Sequence, residues 1–248
     1  MPGPGRPPRA EAPDPARAVR RVRWLTPDGV VAALAVGGAV TWGVSWRGLV
    51  LLLVFFLSGS LLTQLAERCA PRRTARQVLA NGGVAAVAAL FSAWPIAAGA
   101  LAAAAADTWA TEIGAFSPFA PRLITSGRQV PRGTSGGITV LGSLGGAAGA
   151  VMIALLAEAF RPQGAAPGSA ALIAGAGVAG MVADSLLGAT VQGKHECPEC
   201  GARFERGNTV CHQPVRRVRG FRWLDNDAVN LAATLCGAVV VALGVRIV

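Results

Sequence analysis

Apolar residues in this chain fall into long, nearly uncharged blocks, broken by short segments where arginine, proline and glycine concentrate. At about 1.5 Å per helical residue, each block reaches or nearly reaches across a hydrocarbon core of roughly 30 Å. The pattern predicts seven transmembrane helices, over residues 28–45, 48–66, 78–93, 96–116, 137–160, 169–191 and 227–247. Gly37, Gly38 and Thr41 dilute the first. Trp94-Pro95 separates the third from the fourth, because proline disfavours continuation of a helix and suits a short external turn. The expected fold class is all-α, a polytopic membrane helix bundle forming a single transmembrane domain over residues 23–248. Residues 1–22, basic and rich in proline, lack a core pattern and are expected to be disordered. A cleaved signal peptide is not expected, since the first apolar segment leads straight into further spans without a convincing cleavage site.

Composition agrees with the pattern. Of 248 residues, 52% are hydrophobic and only 15% charged, with a mean hydropathy of +0.48, whereas a soluble domain carries nearer a quarter charged residues. The 32 glycines and many alanines suit closely packed transmembrane helices. A net charge of +10 would point to nucleic acid in a soluble protein. Here the basic residues follow topology and lack aromatic stacking partners, so no nucleic-acid partner is expected. With the N-terminus cytoplasmic, 20 of the 23 Lys and Arg lie on the inner side, and only Arg47, Arg161 and Arg246 lie outside. The positive-inside rule favours that orientation, which requires an odd number of spans. It also makes the loops 117–136 and 192–226 cytoplasmic, in a multi-pass protein of the cell (inner) membrane.

Five acidic side chains then gather at one membrane surface: Asp107, Glu112, Asp184, Asp225 and Asp227. A carboxylate in or near hydrocarbon is costly and usually marks a site facing the protein interior. In ADTWATEIG, Asp107, Thr108, Thr111 and Glu112 share a polar arc about 140° wide on a helix, leaving Trp109 and Ile113 to the apolar side. Such oxygens suit a divalent cation and phosphate. The loop that follows carries Arg122, Arg128 and Arg132 ahead of Gly133-Thr134-Ser135-Gly136-Gly137. Glycines let backbone N–H groups converge on an anion, a helix N-terminus adds its dipole, and arginine donates bidentately to phosphate oxygens. It is not a Walker A motif. DSLLGATVQ sets Asp184, Gly188 and Gln192 on one stripe, with glycine permitting close approach. In LDNDAVN, Asp225 can cap the last helix, leaving Asn226, Asp227 and Asn230 unaccounted for. Interhelical ion pairs, wet helix ends or loop arginines would explain each group singly. Together, carboxylates from three helices beside arginines are what Mg²⁺ and a nucleoside triphosphate need.

Three cysteines cluster in KHECPECGARFERGNTVCHQ, where Cys197 and Cys200 precede Cys211 and the adjacent His212, with His195 a further ligand candidate. Two readings stand: a structural zinc on Cys197, Cys200, Cys211 and His212, or reduced thiols without metal. Cys69 and Cys236 read as small hydrophobes.

The blocks RQVLANGG, ADTWATEIG, PRLITSGRQVPRGTSGGIT, DSLLGATVQ and RWLDNDAVN, in that order over about residues 76–230, resemble the family of chloroplast phytyl-phosphate kinase and transmembrane protein 19. More distantly, the chain is similar to the CTP-using polyprenol kinases. The resemblance implies phosphoryl transfer from a nucleoside triphosphate, CTP foremost, to a prenyl monophosphate. By motif position it implies Asp107, Glu112, Gly133, Thr134, Asp184, Asp225, Asn226 and Asp227 as the nucleotide–metal site. Thr111 stands where Ser is expected, and the cysteine loop is not a general feature of the family.

The resulting expectation is a membrane-embedded prenyl-phosphate kinase. Mg²⁺ would be held by Asp107, Glu112, Asp184 and Asp227, and Arg132 would neutralise charge on the transferred group. Thr108, Thr111, the Gly133–Gly137 turn (Gly133, Thr134, Ser135, Gly136, Gly137), Asp225, Asn226 and Asn230 would contact the nucleotide. The rivals are a cytidylyltransferase or CDP-alcohol phosphotransferase, whose DGxxAR spacing is absent, and a proton- or cation-coupled transporter, whose carboxylates belong near mid-membrane.

Overall fold

The computed structural model describes residues 24–66, 72–164, 169–196, 198–199, 203–204, 209–210, 213–214 and 216–245. The terminus 1–22 and the zinc candidates Cys197, Cys200, Cys211 and His212 lie outside the described residues. Among the described residues six helices run in order: α1 Pro27–Leu65, α2 Ala75–Leu90, α3 Trp94–Gly114, α4 Val140–Ala159, α5 Ala170–Thr190 and α6 Asn226–Gly244. By length and composition, α1, α4, α5 and α6 can each cross a membrane. The expected segments 28–45 and 48–66 form one element, α1, broken at Val44 (φ −132°) and Ser45 (φ 69°). That break reverses the chain. Gly37 faces Leu49, while Gly29 and Gly59, at opposite ends of α1, both approach Arg73. Pro95 sits in the first turn of α3, where its missing N–H costs nothing, so the turn falls at 91–93 instead of at Trp94-Pro95.

The loops are not purely irregular. β1 (Arg122–Leu123) pairs antiparallel with β2 (Gly137–Ile138), closing the 124–136 segment into a small hairpin. In the second loop β3 (Lys194–Glu196) lies between β4 (Arg203–Phe204) and β7 (Arg216–Arg219), while β5 (Thr209–Val210) pairs with β6 (Gln213–Pro214).

Helix α3 is the axis of the bundle and touches all five other helices. Residues 97–106, alanine apart from Gly99 and Leu101, are all buried, as suits a helix apolar on every side. A run of methyl side chains makes a thin cylinder, and glycines on the neighbours bring their backbones against it. Gly142, Gly145, Gly146 and Gly149 form one stripe of α4 along α3. Gly177 and Gly180 do the same from α5, and Gly237 from α6 meets the carbonyl of Gly99. Between lipid-immersed helices such van der Waals contact is the main attraction, because the tails are as apolar as the side chains.

The stripe makes a direct test. A Cβ at Gly237 would lie 2.6 Å from the Gly99 oxygen and 2.8 Å from the Ala103 methyl, so Gly237→Ala must push α6 off α3. Overpacking of this kind costs about 1–3 kcal/mol, and the expected result is a lower thermal midpoint in detergent. Gly175, with open space around its Cβ position, is the control. Gly175→Ala is expected to hold or raise the midpoint, alanine being the better helix former.

Candidate functional site

A cleft of about 880 Å³ opens at one end of the bundle, where α1, α3 and α5 end and α2, α4 and α6 begin. From the sequence-predicted set it collects Asp107, Thr108, Thr111 and Glu112 on α3, Asp184 on α5, and Asn226 and Asn230 on α6. Arg132 and all of Gly133, Thr134, Ser135, Gly136 and Gly137 complete that wall. Gln192 is buried and lines it too.

Each wall has a local cause. The glycine turn docks on the end of α5: Gly188 admits the Gly136 backbone, and a Cβ on Gly136 (φ +78°) would meet Ala189 at 2.5 Å. Two tight turns, Thr134 N–H to Pro131 O (3.2 Å) and Gly137 N–H to Thr134 O (2.9 Å), shape the segment. The turn does not open a helix, as expected from 137–160. β2 and the cap residue Thr139 intervene, and α4 starts at Val140. Arg132 is not directed at a transferred group. It donates to the carbonyls of Ala115 (3.1 Å) and Ser117 (2.5 Å), tying the turn to the end of α3.

The carboxylates divide into three environments. Asp107 is hydrogen-bonded to Asp184 across the α3–α5 contact. Two carboxyl groups that close share either a proton or a cation. Glu112 accepts from Thr63 Oγ1 through Oε1 (2.9 Å), while its Oε2 is buried without a hydrogen-bond partner. Asp225 and Asp227 do not line the cleft. Asp225 caps α6 by accepting from Ala228 N–H (3.1 Å), as its position predicted. Arg76 donates to it at 2.9 Å and sets its Nε 3.5 Å from Asp227. The nearby basic residue of α2 therefore draws Asp227 away from the metal set, and Asp225 away from the nucleotide contact, that the sequence assigned them. Among the described residues no three His, Cys, Asp or Glu are grouped to hold a metal. His195 is buried in β3, and among the described residues its Nδ1 has no hydrogen-bond partner.

Sequence reasoning missed the opposite wall, made by Ser60, Thr63 and Gln64 of α1 with Arg72 and Arg73. Arg73 lies over the Phe56 ring at 5.3 Å, and burial pushes its guanidinium below its ordinary pKa while nearby Glu112 opposes that shift. Its backbone is pinned, donating to Trp24 O (2.9 Å) and accepting from Thr26 N–H (3.1 Å). Both arginines had counted only as topological charge. A pairing of residue 73 with a ring 17 positions earlier has no signal in spacing.

Residues 16–238 match the family described as integral membrane protein DUF92. The chain belongs to that family. It is 30% identical over 241 residues to the uncharacterized membrane protein MJ0933 of Methanocaldococcus jannaschii, covering 90% of this chain and 86% of that one. It is 32% identical to Protein PGR of Arabidopsis thaliana over 75% of this chain and 77% of the relative. With Protein VTE6, chloroplastic, from the same plant it shares 25% identity over 90% of this chain and 66% of the relative. No solved structure matches. Like its family, the chain is a multi-pass integral membrane protein, and its likeness to the plant proteins bears out the resemblance to the phytyl-phosphate kinase group.

The Asp225 cap can be tested directly. Asp225→Ala is expected to lower thermal stability by about 1 kcal/mol, read as a lower thermal midpoint in detergent. An unchanged midpoint would show that the cap contributes nothing.

Proposed function

We propose that the protein is a membrane-embedded prenyl-monophosphate kinase, transferring a phosphoryl group from a nucleoside triphosphate, CTP foremost, to a lipid phosphate. The observation that carries this reading is the hydrogen-bonded Asp107–Asp184 pair facing the Gly133–Gly137 turn across a cleft at the end of an apolar bundle. Orientation supports it. With the N-terminus inside and each apolar segment taken as one crossing, the cleft would open where most basic residues and cytosolic nucleotide lie.

The donor set fits a magnesium ion. Mg²⁺ in nucleotide sites uses one or two carboxylates plus substrate phosphates, so the Asp107–Asp184 pair suffices without a third protein ligand. Held there, the ion would supply positive charge to offset that of the phosphates. The chain's own residues do the rest. The N–H groups of Gly133 and Gly136, outside the two turn hydrogen bonds, are available to phosphate oxygens. Thr108, Thr111, Asn226 and Asn230 supply neutral donors and acceptors around the nucleotide. An oxygen of the lipid phosphate bonds to the γ-phosphorus as the bond to the β–γ bridging oxygen breaks, and nucleoside diphosphate leaves. The acceptor is already an anion near neutral pH, so positioning and electrostatics carry the reaction without a strong base.

Purified protein in detergent with Mg²⁺, CTP or ATP and a panel of prenyl monophosphates is expected to yield the prenyl diphosphate and nucleoside diphosphate by mass spectrometry. Release of pyrophosphate would identify a cytidylyltransferase instead. Asp107→Asn is expected to abolish product while leaving membrane insertion intact, and wild-type turnover in that variant would refute the role given to Asp107.

A further inference from the structure

We propose that the wall of the cleft built from α1 and residues 72–73 is the seat of the lipid phosphate. Arg73, with Arg72 beside it, grips the phosphoryl head, and the apolar chain lies along Leu53, Leu57 and Leu61 of α1. The substrate class rests on the kinase reading above; the seat itself rests on three observations.

The first is an uncommitted cation. Arg73 lines the cleft half-buried, and among the described residues its guanidinium has no direct ion pair and no hydrogen bond; it lies on the face of Phe56, and Glu112 acts on it only at longer range. A half-buried charge without a direct partner is costly, and a phosphate bound there would supply one. Phe56 and the absent side chain at Gly59, whose Cβ would lie 3.3 Å from Nη2, hold the guanidinium in place. The second is a neighbouring orphan donor. Trp24 lines the same wall with its Nε1 buried and unpartnered, edge-on to Phe56 at 5.8 Å.

The third is the route to the bilayer. Leu53, Leu57 and Leu61 are 45%, 42% and 52% exposed along the second half of α1. At 100° per residue Gln64 falls within about 20° of both Leu53 and Leu57, and Gln64 lines the mouth of the cleft. An apolar stripe thus leads up one helix face to a polar residue and then to two arginines. A prenyl phosphate has that same order of chemistry, chain then anion. The opposite wall carries the hairpin loop and glycine turn, whose backbone donors suit the water-soluble nucleotide.

The test uses the full chain in nanodiscs, without nucleotide, titrated with farnesyl monophosphate and with farnesol. Losing a charge-assisted contact of this kind is expected to weaken farnesyl monophosphate binding at least about tenfold in Arg73→Gln, with Arg73→Lys recovering part of it. Mg²⁺–CTP binding and farnesol binding should stay close to wild type in both. Unchanged farnesyl monophosphate affinity in a folded Arg73→Gln, or an equal loss for nucleotide, overturns the proposal. Wild-type protein carrying a farnesyl monophosphate analogue with a diazirine in its chain provides a readout independent of variant folding. Labelling within residues 53–64 supports the seat, and labelling confined to α4 or α5 sinks it. Phosphate binding through Arg73 with no diphosphate formed from any nucleotide would keep the seat and end the kinase reading.

Discussion

Close approach of helices to the alanine-rich α3 is the contact on which the rest of this structure depends. In lipid no hydrophobic force draws one helix to another, so the bundle is held where backbones can come within van der Waals reach. α3 offers almost nothing but methyl groups from Ala97 to Ala106, and the glycine stripes of α4, α5 and α6 are cut to meet them. The same tightness brings Asp107 on α3 within hydrogen-bonding distance of Asp184 on α5. A bulkier interface would hold those carboxyl groups apart.

The polar end of the bundle follows from what low-polarity surroundings demand of each charge. Asp225 and Asp227 are paired by Arg76 and by the α6 cap, and they serve the joint between α2 and α6. Arg132 is absorbed by two carbonyls at the end of α3. The Asp107–Asp184 pair, Glu112 with one oxygen outside any hydrogen bond, and the guanidinium of Arg73 all line the cleft instead. Charges absorbed between helices build the frame, and those facing the cleft are the ones the proposed function draws on.

The membrane character and most helix positions were legible because they depend on local composition: a long uncharged block has one economical conformation in a bilayer. The shared depth of Asp107, Glu112, Asp184, Asn226 and Asn230 was legible for the same reason, since span order alone sends them to one end. Helix boundaries shifted where capping intervened, as at Thr139, and where Pro95 was tolerated inside the first turn of α3.

Pairing was not legible. Nothing in spacing says that Arg76 will take Asp225 and Asp227 across 149 and 151 positions of chain, or that Arg73 will settle on Phe56 without a carboxylate in contact. The sequence by itself determined a bundle of membrane helices with its acidic residues at one end, because burial of apolar residues and avoidance of charge in lipid act residue by residue. Only the tertiary structure decided which of those charges neutralise each other and which remain for a ligand, because that choice turns on distances of a few ångströms between helices remote in sequence.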